Sequence, residues 1–253
     1  MDISKFYAVC HRDHLICNPM SDQKLDELVR LLDLQPGARV LDIASGKGEL
    51  LARLAERYGV SGDGVDISPY EVEQARARMA RVPGAQVLIH EQDGRLFPAA
   101  PGSYDLAMCI GATFTFGGYT ETLRALQTAS RPGGLVVVGE PFWRETPDPD
   151  YLAASGQTVE TFGTHFSNVA AGIGLGMALL YAIVSNDDDW DRYQGLQWRA
   201  AERYASEHAD DPDAPEILAW QRTKRDLYLR WERNLFGWAI YIFRSPGTSS
   251  PMS

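Results

Sequence analysis

The segment between positions 42 and 48, DIASGKG, has the residue types of a turn that holds a cofactor. It joins an apolar run, VLDI, to an amphipathic run, ELLARLAERY. Gly46 and Gly48 have no side chain, so their backbone can approach a ligand closely. In an open α/β sheet, a turn that follows the first strand lies at the edge where such folds bind ligands. The segment therefore predicts a ligand site that begins at Asp42.

Two phosphate-binding patterns fit this turn poorly. A P-loop requires glycine at position 41 and serine or threonine at position 48, where this chain has Leu41 and Gly48. A dinucleotide fingerprint supplies its third glycine at position 51, where this chain has Leu51, and a bulky side chain there would obstruct packing of the helix on the strand. A nicotinamide-dependent oxidoreductase stays open only as a rival interpretation.

The second and third apolar runs, like the first, are each followed by or end in an acidic residue. Asp66 ends GDGVD, 24 residues after Asp42, and can accept hydrogen bonds from both hydroxyls of a ribose. NAD sites use the same geometry, so Asp66 alone does not discriminate between cofactors. The third apolar run, AQVLIHE, leads into Gln92, Asp93 and Gly94.

The elements that must position these residues appear as alternating apolar and amphipathic runs. The apolar runs are ARVLDIA, SGDGVDIS, AQVLIHE, YDLAMCIG and GLVVVGE, and helix-like runs lie between them. Strands that alternate with helices of this length predict a parallel sheet with right-handed crossovers. Residues 178–185 and 237–244 indicate two further strands, and 169–184 indicates a buried helix end that runs into a buried strand. The tail from 246 to 253 is expected to be disordered.

Composition excludes several classes of protein. The 253 residues are 45% hydrophobic and 23% charged, which is typical of a globular domain and not of a disordered chain. The formal net charge of -10 repels nucleic acid and anionic membrane surfaces. Three cysteines, an odd number, without a signal-peptide pattern indicate free thiols in the cytoplasm. We expect a soluble monomer or homodimer that has no nucleic-acid or membrane partner.

The turn resembles the first motif of the class I S-adenosylmethionine-dependent methyltransferases, written acid-x-Gly-x-Gly-x-Gly. Asp42, Ala44, Gly46 and Gly48 match it, with Ala44 in place of the first glycine. The likeness covers about residues 38–140, including the turn RPGG before the fifth strand. The segments EPFWR and DDWDRYQGLQWRAAERY also resemble a group of uncharacterised bacterial methyltransferases.

The resemblance implies a Rossmann-like, mostly parallel α/β sheet of seven strands in the order 3-2-1-4-5-7-6, with the last strand antiparallel. It implies one domain over 1–245, divided into a helical lid (1–36), a cofactor-binding core (37–140), substrate-side helices with strand six (141–236) and the last strand (237–244). It also implies S-adenosyl-L-methionine as cofactor, with Asp66 on the ribose and Asp93 on the adenine amine. The residues expected to bind it are Asp42, Ala44, Ser45, Gly46, Gly48, Asp66, Ile67, Asp93, Gly94, Cys109 and Ile110.

Methyl transfer from a sulfonium is an in-line displacement, so the protein must align the reactants and exclude water, and a base is optional. Glu140, placed at the end of strand five, is the first candidate for acceptor binding or general base; the alternative is an ordinary strand-end acid paired with Arg144. His11 and His14 are further candidates.

The acceptor is expected to be a small molecule. The segment after strand four, beginning at Ile110, lacks the Asn/Asp-Pro-Pro-aromatic signature of nucleic-acid amino-methylating enzymes that resemble this family. Acidity favours neutral or cationic small acceptors over polyanions. A protein that senses the cofactor without turnover is the alternative from another class.

Several aromatic and polar residues outside the core are candidate substrate contacts: Tyr7, Trp143, His165, Tyr181 and Trp198. The alternative is that the aromatic members pack the added helices against the sheet. Cys10, His14 and Cys17 would share one helical face and, with His11, superficially resemble a metal set. Structural zinc sites take their ligands from separated elements, so no metal is predicted.

Overall fold

The computed structural model describes residues 2–247, and these form one seven-stranded sheet with helices on both faces. The strands are β1 (Arg39–Ile43), β2 (Ser61–Asp66), β3 (Gln86–Glu91), β4 (Tyr104–Ile110), β5 (Ser130–Trp143), β6 (Ala178–Val184) and β7 (Phe236–Arg244). The helices are α1 (Ile3–Cys10), α2 (Asp22–Leu32), α3 (Glu49–Tyr58), α4 (Pro69–Met79), α5 (Tyr119–Ala129), α6 (Pro149–Ser155), α7 (His165–Gly174), α8 (Asp187–Glu207), α9 (Ala214–Leu227) and α10 (Arg233–Leu235). Short 3₁₀ turns follow β3 and β4, and a π-helical turn joins α9 to α10.

The strand order is β3-β2-β1-β4-β5-β7-β6, which confirms the predicted Rossmann-like fold. Strands β1 to β5 pair in parallel, and β7 is antiparallel to both β5 and β6. Because β1 lies between β2 and β4, the strand order reverses there, and the carboxyl ends of β1 and β4 open the crevice where such sheets bind ligands.

Local signals set the helix starts. Ser21 caps α2 by accepting from the Lys24 amide at 3.3 Å, as its position before the amphipathic run predicts. Asn186 and Asp189 form a reciprocal capping box at the start of α8. The acidic run at 187–189 therefore opens this helix, where negative charge is favourable.

The hydrophobic core lies on both faces of the sheet, and a third cluster joins distant parts of the chain. Phe6, Val9 and Cys10 of α1 pack against Ala201 of α8 and Ile217 of α9. This packing attaches the start of the chain to helices that follow strand six. The first residues thus belong to a helical layer built mainly from the second half of the chain.

Three details differ from expectation. The stretch 169–184 is not a buried unit, because β6 is an edge strand with Leu180 43% and Tyr181 44% exposed. Strand β5 continues to Trp143, so Glu140 lies inside a strand and not at its end. Strand β7 begins one residue earlier than expected, at Phe236. The tail that was predicted to be disordered spans residues 246–253. The Pro246 carbonyl accepts from the Gly133 amide at 3.1 Å, and residues 248–253 lie outside the described residues.

Within residues 2–247, no helix is both long enough and apolar enough to cross a membrane.

Two helical glycines give a matched test of the packing between α7 and β7. A Cβ at Gly172 would lie 2.3 Å from Cε1 of Phe243, a fully buried ring. A Cβ at Gly195 in α8 would meet no atom within 4 Å. We expect Gly172→Ala to lower the free energy of unfolding by about 1–2 kcal/mol through overpacking. Gly195→Ala should raise it by up to about 1 kcal/mol. Urea denaturation measures both, and equal effects would contradict the packing.

Candidate functional site

The turn after β1 holds three alternate residues in left-handed conformations. Ala44, Gly46 and Gly48 have φ angles of 58°, 51° and 70°. Ala44 therefore adopts a left-handed conformation that glycine takes more easily, at a steric cost that glycine would not incur.

The turn leaves space and hydrogen-bonding capacity for a ligand. A Cβ built on Gly46 meets no atom within 4 Å. The buried hydroxyl of Ser45 has no hydrogen-bond partner among the described residues. Gly48 has another role, because its Cβ would lie 3.1 Å from that of Ala75 and it thus permits α3 to pack on α4. An orphaned hydroxyl beside an open glycine fits a bound cofactor in this turn.

Leu51 is accommodated by a glycine on the neighbouring strand. Its side chain is fully buried, and a Cβ at Gly64 of β2 would lie 2.6 Å from Leu51 Cδ1. In a dinucleotide fingerprint, the third glycine lies on the helix and lets the helix pack closely on the strand. Here the glycine that provides this space is Gly64 on strand β2. Leu51 therefore packs without obstructing the approach of helix to strand, contrary to the expectation from its bulk.

Asp66 is held facing this turn. Its carboxylate accepts from the Gly46 amide at 2.8 Å and from the Ser68 amide at 2.8 Å. Burial raises the pKa of Asp66, while these two amides oppose the rise. Asp42 is buried on the adjacent strand, where burial and the charge of Asp66 raise its pKa well above the usual range. Two close carboxylates at the end of neighbouring strands can accept hydrogen bonds from a ligand's hydroxyls.

Ile67, Asp93 and Gly94, which were also predicted to bind the cofactor, follow strands β2 and β3. They differ in how exposed they are and in whether they are already engaged by other residues. Ile67, which follows β2, is 68% exposed, and Gly94 approaches Ile43 so closely that a Cβ would lie 2.6 Å from its Cγ2. Asp93 is engaged by Arg95, whose Nη2 lies 2.6 Å from its carboxylate, and this partner lowers the pKa of Asp93. Arg95 would have to release Asp93 before it could accept from an adenine amine.

At the end of β4, a ligand could contact the backbone but not the thiol of Cys109. The Cys109 side chain is fully buried in the core, where desolvation raises its pKa. The Ile110 carbonyl accepts from the Asn18 amide at 3.5 Å. Gly111 has a φ of 85°, and its Cβ would lie 2.2 Å from Asn18 Oδ1. Asn18 thus brings the segment before α2 directly against this strand end.

Lys47 holds that segment over the glycine turn, a role that the sequence did not suggest. Its side chain is 3% exposed, and its Nζ donates to the carbonyls of His11 at 2.6 Å and His14 at 3.0 Å. A buried ammonium satisfied by carbonyls fixes the chain between α1 and α2 as a cover for the turn. The only available signal was a lysine between two loop glycines without the hydroxyl that a P-loop needs.

His11 and His14 bind the cover to α8. His11 Nε2 lies 3.1 Å from the Tyr193 hydroxyl, and His14 Nε2 lies 2.9 Å from the Tyr193 carbonyl. Burial lowers the pKa of His11 to about 3 and of His14 to about 4. Both rings are therefore neutral near pH 7, and so weakly basic that neither suits a general base.

The structure does not place Cys10, His14 and Cys17 on one helix. Helix α1 ends at Cys10, so Cys10, His14 and Cys17 do not share a helical face, which corrects that expectation. Cys10 is buried and donates to Gln221 Oε1 at 3.5 Å. The described residues contain no group of three or more ligating side chains that could hold a metal. Tyr7 is half exposed and stacks on His11 with ring centroids 5.8 Å apart.

Glu140 is a buried carboxyl without a cationic partner among residues 2–247. It is 7% exposed, and both of its oxygens lie 2.9 Å from Thr113 Oγ1, which has one proton to donate. Burial raises the pKa of Glu140 to about 7, against the opposing effect of Thr113. The alternative pairing with Arg144 is wrong, because Arg144 binds Asp187 at 2.8 Å. Glu140 can therefore take up or release a proton near neutral pH.

Tyr119, Tyr241 and His165 are further polar side chains in the surroundings of Glu140. The Tyr119 hydroxyl is buried without a hydrogen-bond partner among the described residues, and the Glu140 charge contributes to raising the pKa of Tyr119 and of Tyr241. His165 Nδ1 lies 3.0 Å from the Tyr241 hydroxyl. The structure thus connects His165 to the surroundings of Glu140 through Tyr241, whereas no described hydrogen bond connects Glu140 to His11 or His14.

Trp143, Tyr181 and Trp198, the remaining candidate substrate residues, make packing contacts and hydrogen bonds with other parts of the protein. Trp143 is buried among aromatic rings, and its Nε1 donates to the Val159 carbonyl at 2.9 Å. Tyr181 lies on the edge strand, with its hydroxyl 3.4 Å from Glu27. Trp198 is half buried against Tyr228, at 6.0 Å between ring centroids. The structure brings none of these three next to Glu140.

Comparison with known proteins identifies the family. A family model for a methyltransferase domain matches residues 40–134. The uncharacterised protein YjhP of Escherichia coli K12 is 31% identical over 95% of this chain and 98% of its own length. An S-adenosylmethionine-dependent methyltransferase from Geobacter sulfurreducens, crystallised with S-adenosyl-L-homocysteine, superposes with a TM-score of 0.89 at 30% identity and covers 96% of this chain and 98% of its own. The chain belongs to the S-adenosylmethionine-dependent methyltransferases.

More distant members of this methyltransferase family match only part of the chain. The 27-O-demethylrifamycin SV methyltransferase of Amycolatopsis mediterranei is 28% identical over 54% of this chain and half of its own length. The methyltransferase described here uses S-adenosyl-L-methionine, and the cradle around Gly46 and Ser45 fits that cofactor.

Replacing Asp66 tests its place in the cofactor site. We expect Asp66→Ala to weaken the binding of S-adenosyl-L-homocysteine by about 1–3 kcal/mol, or about 5- to 150-fold, because hydrogen bonds to a charged carboxylate are lost. Calorimetric titration measures this affinity, with Asp188→Ala on the exposed start of α8 as the control. Unchanged affinity in Asp66→Ala would remove Asp66 from the site.

Proposed function

We propose that this methyltransferase acts on a small molecule. The net charge of -10 disfavours polyanionic acceptors. The segment that follows β4, beginning Gly111-Ala112-Thr113-Phe114, lacks the signature of nucleic-acid amino-methylating enzymes. The rifamycin relative is named for a small acceptor, and this supports the same class here. The cysteines within the described residues are free, which supports action in the reducing cytoplasm.

The cofactor site we propose comprises the turn Ala44–Gly48, Asp42, Asp66 and the strand ends near Gly94 and Ile110. When bound, S-adenosyl-L-methionine supplies an electrophilic methyl group. The open face of Gly46 and the free Ser45 hydroxyl bind the ligand, and Asp66 accepts from its ribose. The cover fixed by Lys47 excludes water from this edge, which favours transfer to the acceptor over side reactions.

Glu140 is the residue that we propose takes a proton from the methyl acceptor. A carboxyl with a pKa of about 7, buried with the Thr113 hydroxyl as its hydrogen-bond partner, can accept the proton that an acceptor loses as its oxygen or nitrogen is methylated. Thr113 orients it, and Thr122 of α5 fixes Thr113 by donating to its carbonyl at 3.0 Å. Gly139, next to Glu140, accepts from the Gly111 amide at 2.9 Å, so this carboxyl lies beside the end of β4.

Transfer of a labelled methyl group tests the function. The protein is incubated with S-adenosyl-L-methionine labelled in its methyl group and a panel of small metabolites, and the products are separated. We expect label in at least one small molecule, and a much lower yield from Asp66→Ala at limiting cofactor. Cofactor binding without transfer to any member of a broad panel would favour a sensor over an enzyme.

A further inference from the structure

The proton that Glu140 takes from an acceptor has to leave a buried position. Glu140 is 7% exposed, and the Thr113 hydroxyl that bonds to it is buried as well. Beyond Thr113 the hydrogen bonds continue to Thr122, whose side chain is fully buried, so this side offers no route to solvent. While cofactor and acceptor fill the open side of the site, the proton has to leave through hydrogen-bonded side chains of the protein.

Tyr241 is a neighbour of Glu140 across the antiparallel strands β5 and β7. Glu140 lies opposite Ala239, and Val138 lies opposite Tyr241. Opposite residues point to the same face of a sheet, and so do residues two positions apart on one strand. The Tyr241 and Glu140 side chains therefore share a face as diagonal neighbours, a separation that a long side chain can span. Ala239, opposite Glu140, has only a methyl group and does not fill the space between them.

The ring of Tyr241 leans towards Glu140. The Tyr241 hydroxyl lies 3.0 Å from His165 Nδ1, and the His165 ring centroid lies 5.0 Å from that of Phe142. Phe142 follows Glu140 by two residues on β5, and Val138 precedes it by two. The ring therefore reaches from the level of Val138 towards that of Phe142 and passes the level of Glu140. Burial raises the pKa of Tyr241 to about 12, and the charge of Glu140 contributes to this rise.

The hydrogen bonds of Tyr241 lead towards the surface. Asn168 Nδ2 donates to the Tyr241 hydroxyl at 3.4 Å, so this hydroxyl can give its own proton to His165 Nδ1. His165 then accepts at Nδ1, and its neutral ring carries the proton on Nε2. This second nitrogen makes no hydrogen bond within residues 2–247 and is not buried. His165 thus links the buried hydroxyl to solvent.

Two other titratable groups near Glu140 do not reach solvent. The Tyr119 hydroxyl is buried without a hydrogen-bond partner among the described residues, and the Cys109 thiol is fully buried. Burial raises the pKa of both groups above the usual range, so both stay protonated near pH 7. Burial lowers the pKa of His165, so an imidazolium formed there gives up its proton readily. His165 therefore has both the chemistry and the position of a proton exit.

We propose that Tyr241 and His165 carry the proton from Glu140 to solvent. Glu140 gives the proton to the Tyr241 oxygen while the hydroxyl's own proton passes to His165 Nδ1, and the imidazolium then releases its Nε2 proton to water. One proton enters at Glu140 and one leaves at His165, so the carboxylate is restored and Tyr241 stays neutral. Exchange with water returns the ring proton to Nε2. This inference rests on the proposed role of Glu140 in methyl transfer.

Nitrogen-15 NMR of the full chain, labelled in its histidines, tests the path without an acceptor. The signal of His165 is assigned by its loss in His165→Gln. We expect its Nδ1 shift to change in a step near pH 7, where Glu140 ionises, apart from the titration of His165 itself at lower pH. Glu140→Gln and Tyr241→Phe should each abolish this step. His208, exposed at the end of α8, is the internal control and should show no step that depends on Glu140.

Two results of this titration overturn the inference. A wild-type signal of His165 without a step near pH 7 means that Glu140 and His165 are not linked. A step that persists in Tyr241→Phe means that charge alone, and not the Tyr241 hydroxyl, connects them. A side chain that only fixes α7 to β7 would give no step that depends on Glu140.

Proton release during one turnover gives a second readout once an acceptor is known. Transfer of a methyl group from the sulfonium to a neutral acceptor frees one proton, which a pH indicator detects in weak buffer. Wild type should release it together with the methyl transfer, whereas Tyr241→Phe should release it later, with the product. Release at the same moment in both proteins contradicts the path.

The outcome for the inference is separable from that for the function. If labelled methyl is transferred but the NMR step is absent, the inference fails while the proposed function stands. If the step is present and depends on Tyr241, but no metabolite is labelled, the proposed function fails while the link between Glu140 and His165 stands.

Discussion

Replacing Glu140 by glutamine is expected to lower the rate of methyl transfer about 100-fold at pH 8 and to leave the affinity for S-adenosyl-L-homocysteine unchanged. Glutamine keeps the shape of the side chain and an oxygen that can accept from Thr113, but it cannot take a proton from the acceptor. The rate is measured on whichever small molecule the wild-type protein labels.

The pH profile separates a base from a merely structural carboxyl. Because burial raises the pKa of Glu140 to about 7, wild-type kcat/KM should rise between pH 6 and pH 8 as the carboxyl ionises. Glu140→Gln should lose this rise. Thr113→Val should move the rise to higher pH, because the Thr113 hydroxyl lowers the pKa of Glu140. If Glu140→Gln keeps both the wild-type rate and the rise with pH, Glu140 is not the base.

The same carboxyl should make the stability of the protein depend on pH. Its pKa is 4.5 in the unfolded chain and about 7 in the folded protein. Below pH 4.5 both states are protonated, so the folded state bears no penalty there. As pH rises to 7 the unfolded state releases the proton while the folded state retains it, and stability falls by about 3 kcal/mol in total.

Urea denaturation of wild type and Glu140→Gln at pH 4.5 and pH 8 measures this effect. Groups other than Glu140 titrate in both proteins, so their contributions cancel in the difference. We expect the free energy of unfolding of Glu140→Gln, relative to wild type, to increase by about 3 kcal/mol between the two pH values. A difference that is constant with pH would mean that Glu140 titrates near its ordinary value in the folded protein.

Local sequence patterns were sufficient to predict the parallel strands and the edge of the sheet at which a ligand is expected to bind. The alternation of apolar and amphipathic runs predicted β1 to β5, and the acids at 42 and 66 lie at the carboxyl ends of adjacent strands as their order requires. These features follow from periodicity and from the tendency of open sheets to bind at a switch point. The family resemblance supplied the strand order, which the structure confirms.

Tertiary relations could not be predicted in the same way. The space for Leu51 comes from Gly64 on another strand, and Lys47 reaches carbonyls 33 and 36 residues earlier in the chain. The apolar composition of 178–184 predicts a strand but not that the strand lies at an exposed edge. Glu140 was proposed from a strand-end position that the structure corrects, and its threonine partner depends on how the chain turns after β4.

A crystal structure of the protein with S-adenosyl-L-homocysteine tests the central claim most directly. We expect the ribose hydroxyls to hydrogen-bond to Asp66 and the ligand to lie over Gly46 beside the Ser45 hydroxyl. We expect its sulfur to face the space between Ile110 and Glu140. A ligand bound away from the turn at 44–48, or one whose sulfur faces away from Glu140 with the carboxyl closed off by protein, would contradict it.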